Sequence, residues 1–397
     1  MNAEVPASQA TDIPLDPTVV DSLWAPDHKV LQVNHGSFGR VPTETSAFLH
    51  ALIEVEDSNP QGWFRTVRDE IADARVALAE WIGVDEHRMG LVQNASAGMT
   101  IALNTLGPEA RGRKIIFTDH IYGAVQYAIE RTAARTGAVP VRLSVPLDAD
   151  DDQVVAAIAA ELDGAAMLVV DQITSATAKL LPVGRLARLS RDAGVPIAID
   201  GAHAPGLIEA PVAGIEEADF WTGNFHKWPC TPRGTAALVV SEDRLDTVPL
   251  VASWYEHEPF ARRFDQQGTA SCANWVAAPH AVHLIEQRLG WAAVRSHMSA
   301  LADAAQQLVC SALDVAVPEV GRTALSMRLV PLPAGVATDP LAAGVLRDRI
   351  ADEHGIETAV TCFAGQGYVR LSAHAYNTLD DYQRLSDALV AISPTAS

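Results

Sequence analysis

The sequence predicts an α/β protein with a large, mainly parallel sheet, followed by a smaller α+β unit. Three observations carry this reading. Between about residues 90 and 240 the apolar runs "KIIFTD" (114–119), "AMLVVD" (166–171), "VPIAID" (195–200) and "TAALVVS" (235–241) lack period-two alternation, as expected of parallel strands buried on both faces. Helical patterns separate these runs, and strand–helix alternation of this kind builds a parallel sheet. Beyond about residue 290 the texture changes to long helix and short strands in a different order.

Taken in chain order, the first 30 residues, opening "MNAEVPASQATDIPLDPTVV", are polar and proline-punctuated and read as a loose or docked tail. "LQVNHGSFGRVP" (31–42) is glycine-rich without a helical period and reads as an ordered loop. Over 66–82, Val67, Ile71, Ala74, Leu78 and Trp81 recur at steps of three and four, which predicts an amphipathic helix. Between the strands, helices are expected at Gly123–Thr136, 152–161 and 184–193, the last closed by Gly194. Residues 276–315 predict a long helix bent or broken near Gly290. Strands at 325–332, 356–363 and 367–373, with helices over 340–354 and from Asp380, complete the smaller unit. The expected division is a tail over 1–30, a large domain over 31–290 whose first segment serves the small domain or a dimer interface, and a small domain over 291–397.

Composition narrows the classes. A formal net charge of −20 argues against a nucleic-acid or anionic-membrane surface, which needs basic patches. Cys230, Cys272, Cys310 and Cys362 are scattered, so neither a disulfide scaffold nor a structural metal site is expected. No apolar leader and no run of 18 apolar residues occurs, and a cytoplasmic enzyme is the expectation.

Ligands of parallel α/β sheets bind beyond the C-terminal strand ends. Three runs end there in aspartate: Asp119, Asp171 and Asp200. Asp200 opens "DGAHAPG" (200–206), and Lys227 follows in "NFHKWPC" (224–230). The chain has four lysines, Lys29, Lys114, Lys179 and Lys227, and otherwise takes its positive charge from arginine. A Schiff base needs a primary amine that can lose its proton, which arginine cannot supply. A strand-end aspartate and a lysine on the next loop suit pyridoxal phosphate. The lysine bonds the aldehyde, and the aspartate keeps the pyridine nitrogen protonated so that the ring accepts electrons from Cα.

With these residues the chain resembles the fold-type I pyridoxal phosphate enzymes of the class V aminotransferase and cysteine desulfurase group. Within that group it is most similar to the isopenicillin N epimerase-like branch, which includes cysteine S-conjugate C–S lyases. The resemblance covers about residues 30 to 390, with the motifs in family order. It implies a seven-stranded-type sheet domain, a small C-terminal α+β domain and a homodimer with shared active sites.

Residue by residue, the resemblance assigns "QNASAGM" (93–99) to the phosphate loop, with N–H groups from Ala95 and Ser96 and the Ser96 hydroxyl; free N–H groups at a helix start bind anions. It assigns Tyr122 of "TDHIYGA" to the aromatic stacked on the ring, Asp200 to the pyridinium partner and His203 to the 3′-oxygen. Gln172 stands near that oxygen where relatives carry Asn or His, a departure from the pattern. Asn224 and His226 become phosphate ligands and Lys227 the Schiff-base lysine, while Gly268 and Thr269 of "QQGTAS" reach the phosphate of the neighbouring subunit. In "VRLSAHAYNT" (369–378), Arg370 holds the substrate α-carboxylate, for which a guanidinium offers two parallel hydrogen bonds. Asn34 and His35, with Gly36 and Ser37, line the substrate side. Arg233 and Trp63 approach it, and Trp63, Trp228 and Trp275 help shape a wide apolar pocket.

The cofactor is common to several reactions. A desulfurase of this group needs a nucleophilic cysteine ahead of the substrate arginine; Cys362 lies in that region, but apolar neighbours raise a thiol pKa, and Cys230 reads as packing. The resemblance therefore implies C–S cleavage of a cysteine S-conjugate by β-elimination, in secondary metabolism such as antibiotic biosynthesis. Decarboxylation-coupled oxidative deamination of a similar conjugate, isopenicillin N-type epimerisation, transamination and desulfuration are the alternatives. Retention of Lys227, Asp200, His226 and Arg370 argues against a non-catalytic protein. The absence of GxGxxG after a strand argues against a dehydrogenase.

Overall fold

The computed structural model describes residues 15–25 and 29–392. Most of the expected tail (1–30) lies outside them. Within them Pro17–Trp24 forms helix α1, capped by the Asp16 side chain with proline in its first turn, and it buries Val20, Leu23 and Trp24. Trp24 Nε1 donates to the Arg40 carbonyl at 2.9 Å, so this segment docks on the loop after it.

After β1 (Leu31–Gln32) come two helices, α2 (Thr43–Ser58) and α3 (Pro60–Ile82). The second starts earlier than its apolar period suggests, because the Asn59 side chain caps Gly62 N–H and Pro60 occupies the first turn. The first shows no apolar stripe, since Thr45 is its one buried residue.

The large sheet is laid down by β2 (Met89–Val92), α4 (Ala95–Asn104), β3 (Lys114–Thr118), α5 (Gly123–Thr136), β4 (Val139–Leu143), α6 (Asp151–Leu162), β5 (Met167–Asp171), α7 (Val183–Asp192), β6 (Ile197–Asp200), β7 (Phe220–Asn224) and β8 (Ala236–Val240). Its order is β2-β8-β7-β6-β5-β3-β4. The sheet is mainly parallel as expected, but the run at 235–241, read as a parallel strand, is not one: β8 pairs antiparallel with both β7 and β2. No crossover helix separates β7 from β8, and a return of eleven residues (225–235) can only bring the chain back the opposite way. β4 escapes the sequence pattern because it is an edge strand with Val139 46% exposed and Pro140 inside it. β7 escapes because Thr222, Gly223 and Asn224 interrupt its apolar character.

Alternate strand residues serve opposite cores. Ile115, Phe117 and Val169 pack with Met99, Ile129 and Phe264 on one face. Ile116, Leu168 and Val170 pack with Leu78, Ile158 and Leu186 on the other.

The chain continues through α8 (Phe260–Phe264), α9 (Ala273–Arg288) and α10 (Trp291–Ala312), with Gly290 at φ +77° breaking the long helix where expected. Then follow β9 (Met327–Pro331), α11 (Pro340–His354), β10 (Ile356–Glu357), β11 (Ala359–Phe363), β12 (Gln366–Ser372) and α12 (Leu379–Ile392). A second, antiparallel sheet has the order β11-β12-β9. Its core of Val330, Val369, Leu301, Ile350 and Tyr382 also takes in Leu31 and Val33, because β1 pairs in parallel with β10. The N-terminal loop thereby lies beside β12, with a bridge between Asn34 and Ser372. No helix among the described residues is long and apolar enough to cross a membrane.

Candidate active site

The C-terminal ends of β5, β6 and β7, the starts of α4 and α5 and the turn into β8 converge on a cavity of about 640 Å³. Ala95, Ser96, Tyr122, Asp171, Asp200, His203, Asn224, His226, Lys227, Arg233 and Gly268 all line it.

Lys227 sits just past β7. Its amine lies 3.1 Å from His203 Nε2, and no salt bridge holds it among the described residues. Burial, then the nearby Arg370 charge, pull its pKa down to about 7 against the weaker opposing pull of Asp200 and Asp171. The amine is therefore part neutral at neutral pH, as a nucleophile or base must be.

The Lys227 backbone is fixed by the loop the sequence assigned to the substrate side. Gly39 N–H donates to the His226 carbonyl at 2.9 Å, and a Cβ on Gly39 would come within 2.0 Å of the Lys227 carbonyl oxygen. His35 is a correction. It is 1% exposed, donates from Nε2 to the Lys227 carbonyl at 3.0 Å, accepts from Tyr376 at Nδ1 and stacks on His374, so it braces the lysine from behind. His374 Nε2 donates to the Trp228 carbonyl at 3.0 Å in the same way. Together with Cys230 these two imidazoles bring three potential metal ligands within 4.8 Å. Both Nε2 atoms carry the hydrogens given to carbonyls, however, and have no lone pair left for a metal.

Asp200 ends β6, 3% exposed, and Oδ1 accepts the Ala202 N–H at 2.9 Å. Burial pushes its pKa up. His203 is held neutral, its pKa far below the usual imidazole range through burial and the charges of Lys227 and Arg370, and Nδ1 has no partner.

Around the start of α4 the sequence expectation needs adjustment. Asn94 caps the helix at Ala97 N–H, and the Ala95 N–H is already taken by Asn224 Oδ1 at 2.8 Å. The Ser96 N–H, at the second helical position, is left without an acceptor among the described residues, and Ser96 lines the cavity. His226 Nδ1 donates to the Thr235 carbonyl at 3.2 Å, and burial with the Lys227 charge lowers its pKa to about 4.

Arg370 lies on β12, 3% exposed. It donates to Ser175 O at 2.7 Å and Ser175 Oγ at 3.2 Å, to Asn34 Oδ1 at 2.9 Å and to Ser37 Oγ at 3.3 Å; Nε has no partner. No carboxylate faces it among the described residues, and burial lowers its pKa to about 10. A buried guanidinium surrounded only by neutral acceptors is unusual, since burial of a charge normally brings a counter-charge. Asn34 thus orients Arg370.

Two further expectations, for Gln172 and for the tryptophans, are corrected. Gln172 does not line the cavity: it accepts from Trp221 Nε1 at 2.8 Å and donates to the Pro211 carbonyl at 2.8 Å, which uses both ends of its amide. Thr269 lines a neighbouring groove with Trp254 and Phe64, while Gly268, at φ +84°, reaches both spaces. Trp63 lines an adjoining groove with Val67 and Ile71, and Trp228 is fully buried; only Trp275, whose Nε1 donates to the Gly234 carbonyl, borders the cavity. Cys362 lies on β11 and donates to the Thr338 carbonyl, away from the cavity lining. Cys272 does line it, but burial and Glu56 raise its thiol pKa to about 11.

Sequence reasoning noticed Asp171 as a strand end but gave it no role. It ends β5, 2% exposed, its Oδ2 unpaired, in register with Asp200. The sequence signal was present in the matching strand-end aspartates, but not the register that makes them neighbours.

The residues fit pyridoxal phosphate. An amine able to lose its proton, a buried acid at a strand end and a helix start with a free N–H belong to residues that line one cavity, with His203 and Asp171 beside them, and together they define a lysine enzyme built around an anionic ring cofactor.

Comparison with known proteins gives the particulars. The aminotransferase class-V family model matches residues 62–385, and the chain belongs to that family. Its cofactor is pyridoxal phosphate, and its substrates are amino acids. The chain is 29% identical over 403 residues to isopenicillin N epimerase of Streptomyces clavuligerus, covering 96% of each. It is 23% identical to L-cysteine desulfhydrase of Arabidopsis thaliana over 91% of this chain and 88% of that one. Among solved structures, the cystine C–S lyase C-DES, in complex with its product cysteine persulfide, superposes with a TM-score of 0.76 at 19% identity, over 92% of this chain and 99% of that one. A cysteine desulfurase from Thermococcus onnurineus NA1 gives 0.76 at 17%, over 95% and 98%. The large sheet with its smaller companion is thus the fold-type I architecture.

Proposed function

We propose that this pyridoxal phosphate-dependent enzyme cleaves the C–S bond of a cysteine S-conjugate by β-elimination. The observation that carries the reading is the pairing of Lys227, whose amine is part neutral near pH 7, with Arg370, a buried cation without an acid. Arg370 takes the α-carboxylate of the substrate through two N–H groups, with Asn34 and Ser37 steadying the guanidinium. Lys227 removes the Cα proton. Asp200 would face the ring nitrogen, and Ser96, Asn224 and His226 would hold the phosphate, His226 as a donor from a protonated Nε2. When bound, the cofactor supplies an electron-poor ring that accepts the pair released at Cα.

As the Cβ–S bond breaks, the sulfur leaves as thiolate, which takes up a proton, and hydrolysis of the remaining three-carbon fragment gives pyruvate and ammonia. Two observations favour elimination over persulfide formation. Cys362 is held away from the cavity, and the Cys272 thiol, though in the wall, is protonated at neutral pH. L-cysteine desulfhydrases among the relatives act on the same bond class. The enzyme works as a homodimer, with Gly268 and Thr269 of one subunit at the phosphate of the other.

End-to-end similarity to isopenicillin N epimerase favours a second reading, in which the Cα proton is returned on the opposite face. One experiment separates the two: purified protein with several cysteine S-conjugates in deuterated water, followed by thiol release, pyruvate and product mass. Thiol with pyruvate supports elimination. Deuterium at Cα with intact substrate replaces it by epimerisation. An aldehyde that retains the sulfur, with CO₂ lost, would make it a decarboxylating deaminase.

A further inference from the structure

Asp171 and Asp200 end adjacent parallel strands, β5 and β6, and are register partners, so their side chains leave the same face of the sheet at the same level. Both line the cavity. Both are buried, at 2% and 3% exposure, and neither forms a salt bridge among the described residues. Asp200 has the Ala202 N–H on Oδ1, whereas Asp171 Oδ2 has no partner. The groups facing Asp171 are Asp200 from β6, the Lys227 amine from beyond β7 and the Tyr122 N–H from the start of α5.

Two carboxylates side by side in a dry site cannot both ionise, and such pairs hold one proton between them. Each carboxyl takes a backbone N–H, from Ala202 on Asp200 and from Tyr122 on Asp171; what sets Asp171 apart is that its Oδ2 is buried with no partner, an oxygen that a proton can occupy. We propose that Asp171 is a neutral, proton-bearing positioning residue whose unpaired oxygen donates its hydrogen to Asp200, keeping Asp200 as the charged member of the pair opposite the cofactor's ring nitrogen. Burial, then Asp200, drive the Asp171 carboxyl well above the usual carboxylate range, in the same sense as the geometry. The inference rests on the cofactor, not on which reaction follows, and its failure would leave Lys227 and the cofactor in place.

A carboxyl protonated in the fold and ionised in the unfolded chain lowers stability as pH rises from the unfolded pKa toward the folded one. The decisive measurement is infrared spectroscopy of the wild-type apoprotein at pH 7 to 8. A protonated-carboxyl carbonyl band that disappears in Asp171→Asn is expected; its absence from wild type overturns the proposal, whatever the variants do. Two further readings accompany it. Asp171→Asn, which stays neutral and keeps a donor, should raise the apoprotein Tm at pH 8 by about 2 °C or more and flatten its decline between pH 5 and 8. It should also bind pyridoxal phosphate within about threefold of wild type, while Asp171→Ala, which has no donor, binds about tenfold or more weakly. A lower Tm with an unchanged pH slope for the asparagine variant, or equal loss of cofactor affinity in both variants, would show an ionised Asp171 and refute the assignment.

Discussion

Replacing Arg370 tests the substrate side of the site most directly. The guanidinium is 3% exposed, has no acidic partner among the described residues and has one nitrogen unpaired. Two charge-assisted hydrogen bonds to an α-carboxylate are worth about 1.5–3 kcal/mol each. Arg370 already gives four hydrogen bonds to neutral oxygens, some of which the substrate must displace, so the low end applies. About 3 kcal/mol is roughly a 100-fold loss in kcat/KM.

Arg370→Met keeps most of the volume and leaves no uncompensated buried charge, so the protein should fold and still take up cofactor. The assay compares a cysteine S-conjugate with the same conjugate lacking the α-carboxylate. Wild type should favour the amino acid strongly, and Arg370→Met should lose that preference, with Arg370→Lys between them because an ammonium cannot bind in the same two-pronged way. A second readout is independent of substrate. Because Arg370 lowers the Lys227 pKa, its removal raises it, and cofactor incorporation should slow at pH 7 and recover at higher pH. A kcat/KM within about threefold of wild type for both substrates would refute the assignment of Arg370 to the α-carboxylate.

Other perturbations follow from the same geometry. Lys227→Ala should abolish turnover and the visible absorption of lysine-bound pyridoxal phosphate; substantial activity in that variant would remove Lys227 from the chemistry. Gly39→Ala forces a Cβ toward the Lys227 carbonyl and should cut both cofactor uptake and turnover, with a far-ultraviolet circular dichroism spectrum like that of wild type. Gln172→Met leaves the buried Trp221 N–H and Pro211 carbonyl unpaired. It should cost about 1–3 kcal/mol per group in a denaturant titration without a matching loss of cofactor affinity, whereas a selective loss of affinity would return Gln172 to the cofactor.

The sequence by itself determined the layered α/β architecture, because both-face burial writes continuous apolar runs at β3, β5, β6 and β8, and it placed the helix break at Gly290 by the one residue suited to φ +77°. It also singled out Lys227, Asp200 and Ser96, which the fold brings to one cavity, and Arg370 on β12, since each belongs to a local motif whose chemistry depends on residue type. What it lacked is everything set by register and by contacts between distant segments. The reversal of β8 rests on pairing with both β7 and β2; the hold of His35 on the Lys227 carbonyl joins residues 192 positions apart, with Gly39 on the adjacent His226 carbonyl, and the diversion of Gln172 to Trp221 joins residues 49 apart. The pairing of Asp171 with Asp200 is of the same kind: two strand-end aspartates are visible in one dimension, but only the parallel ladder between β5 and β6 sets their carboxyls side by side, and only burial makes one of them hold a proton.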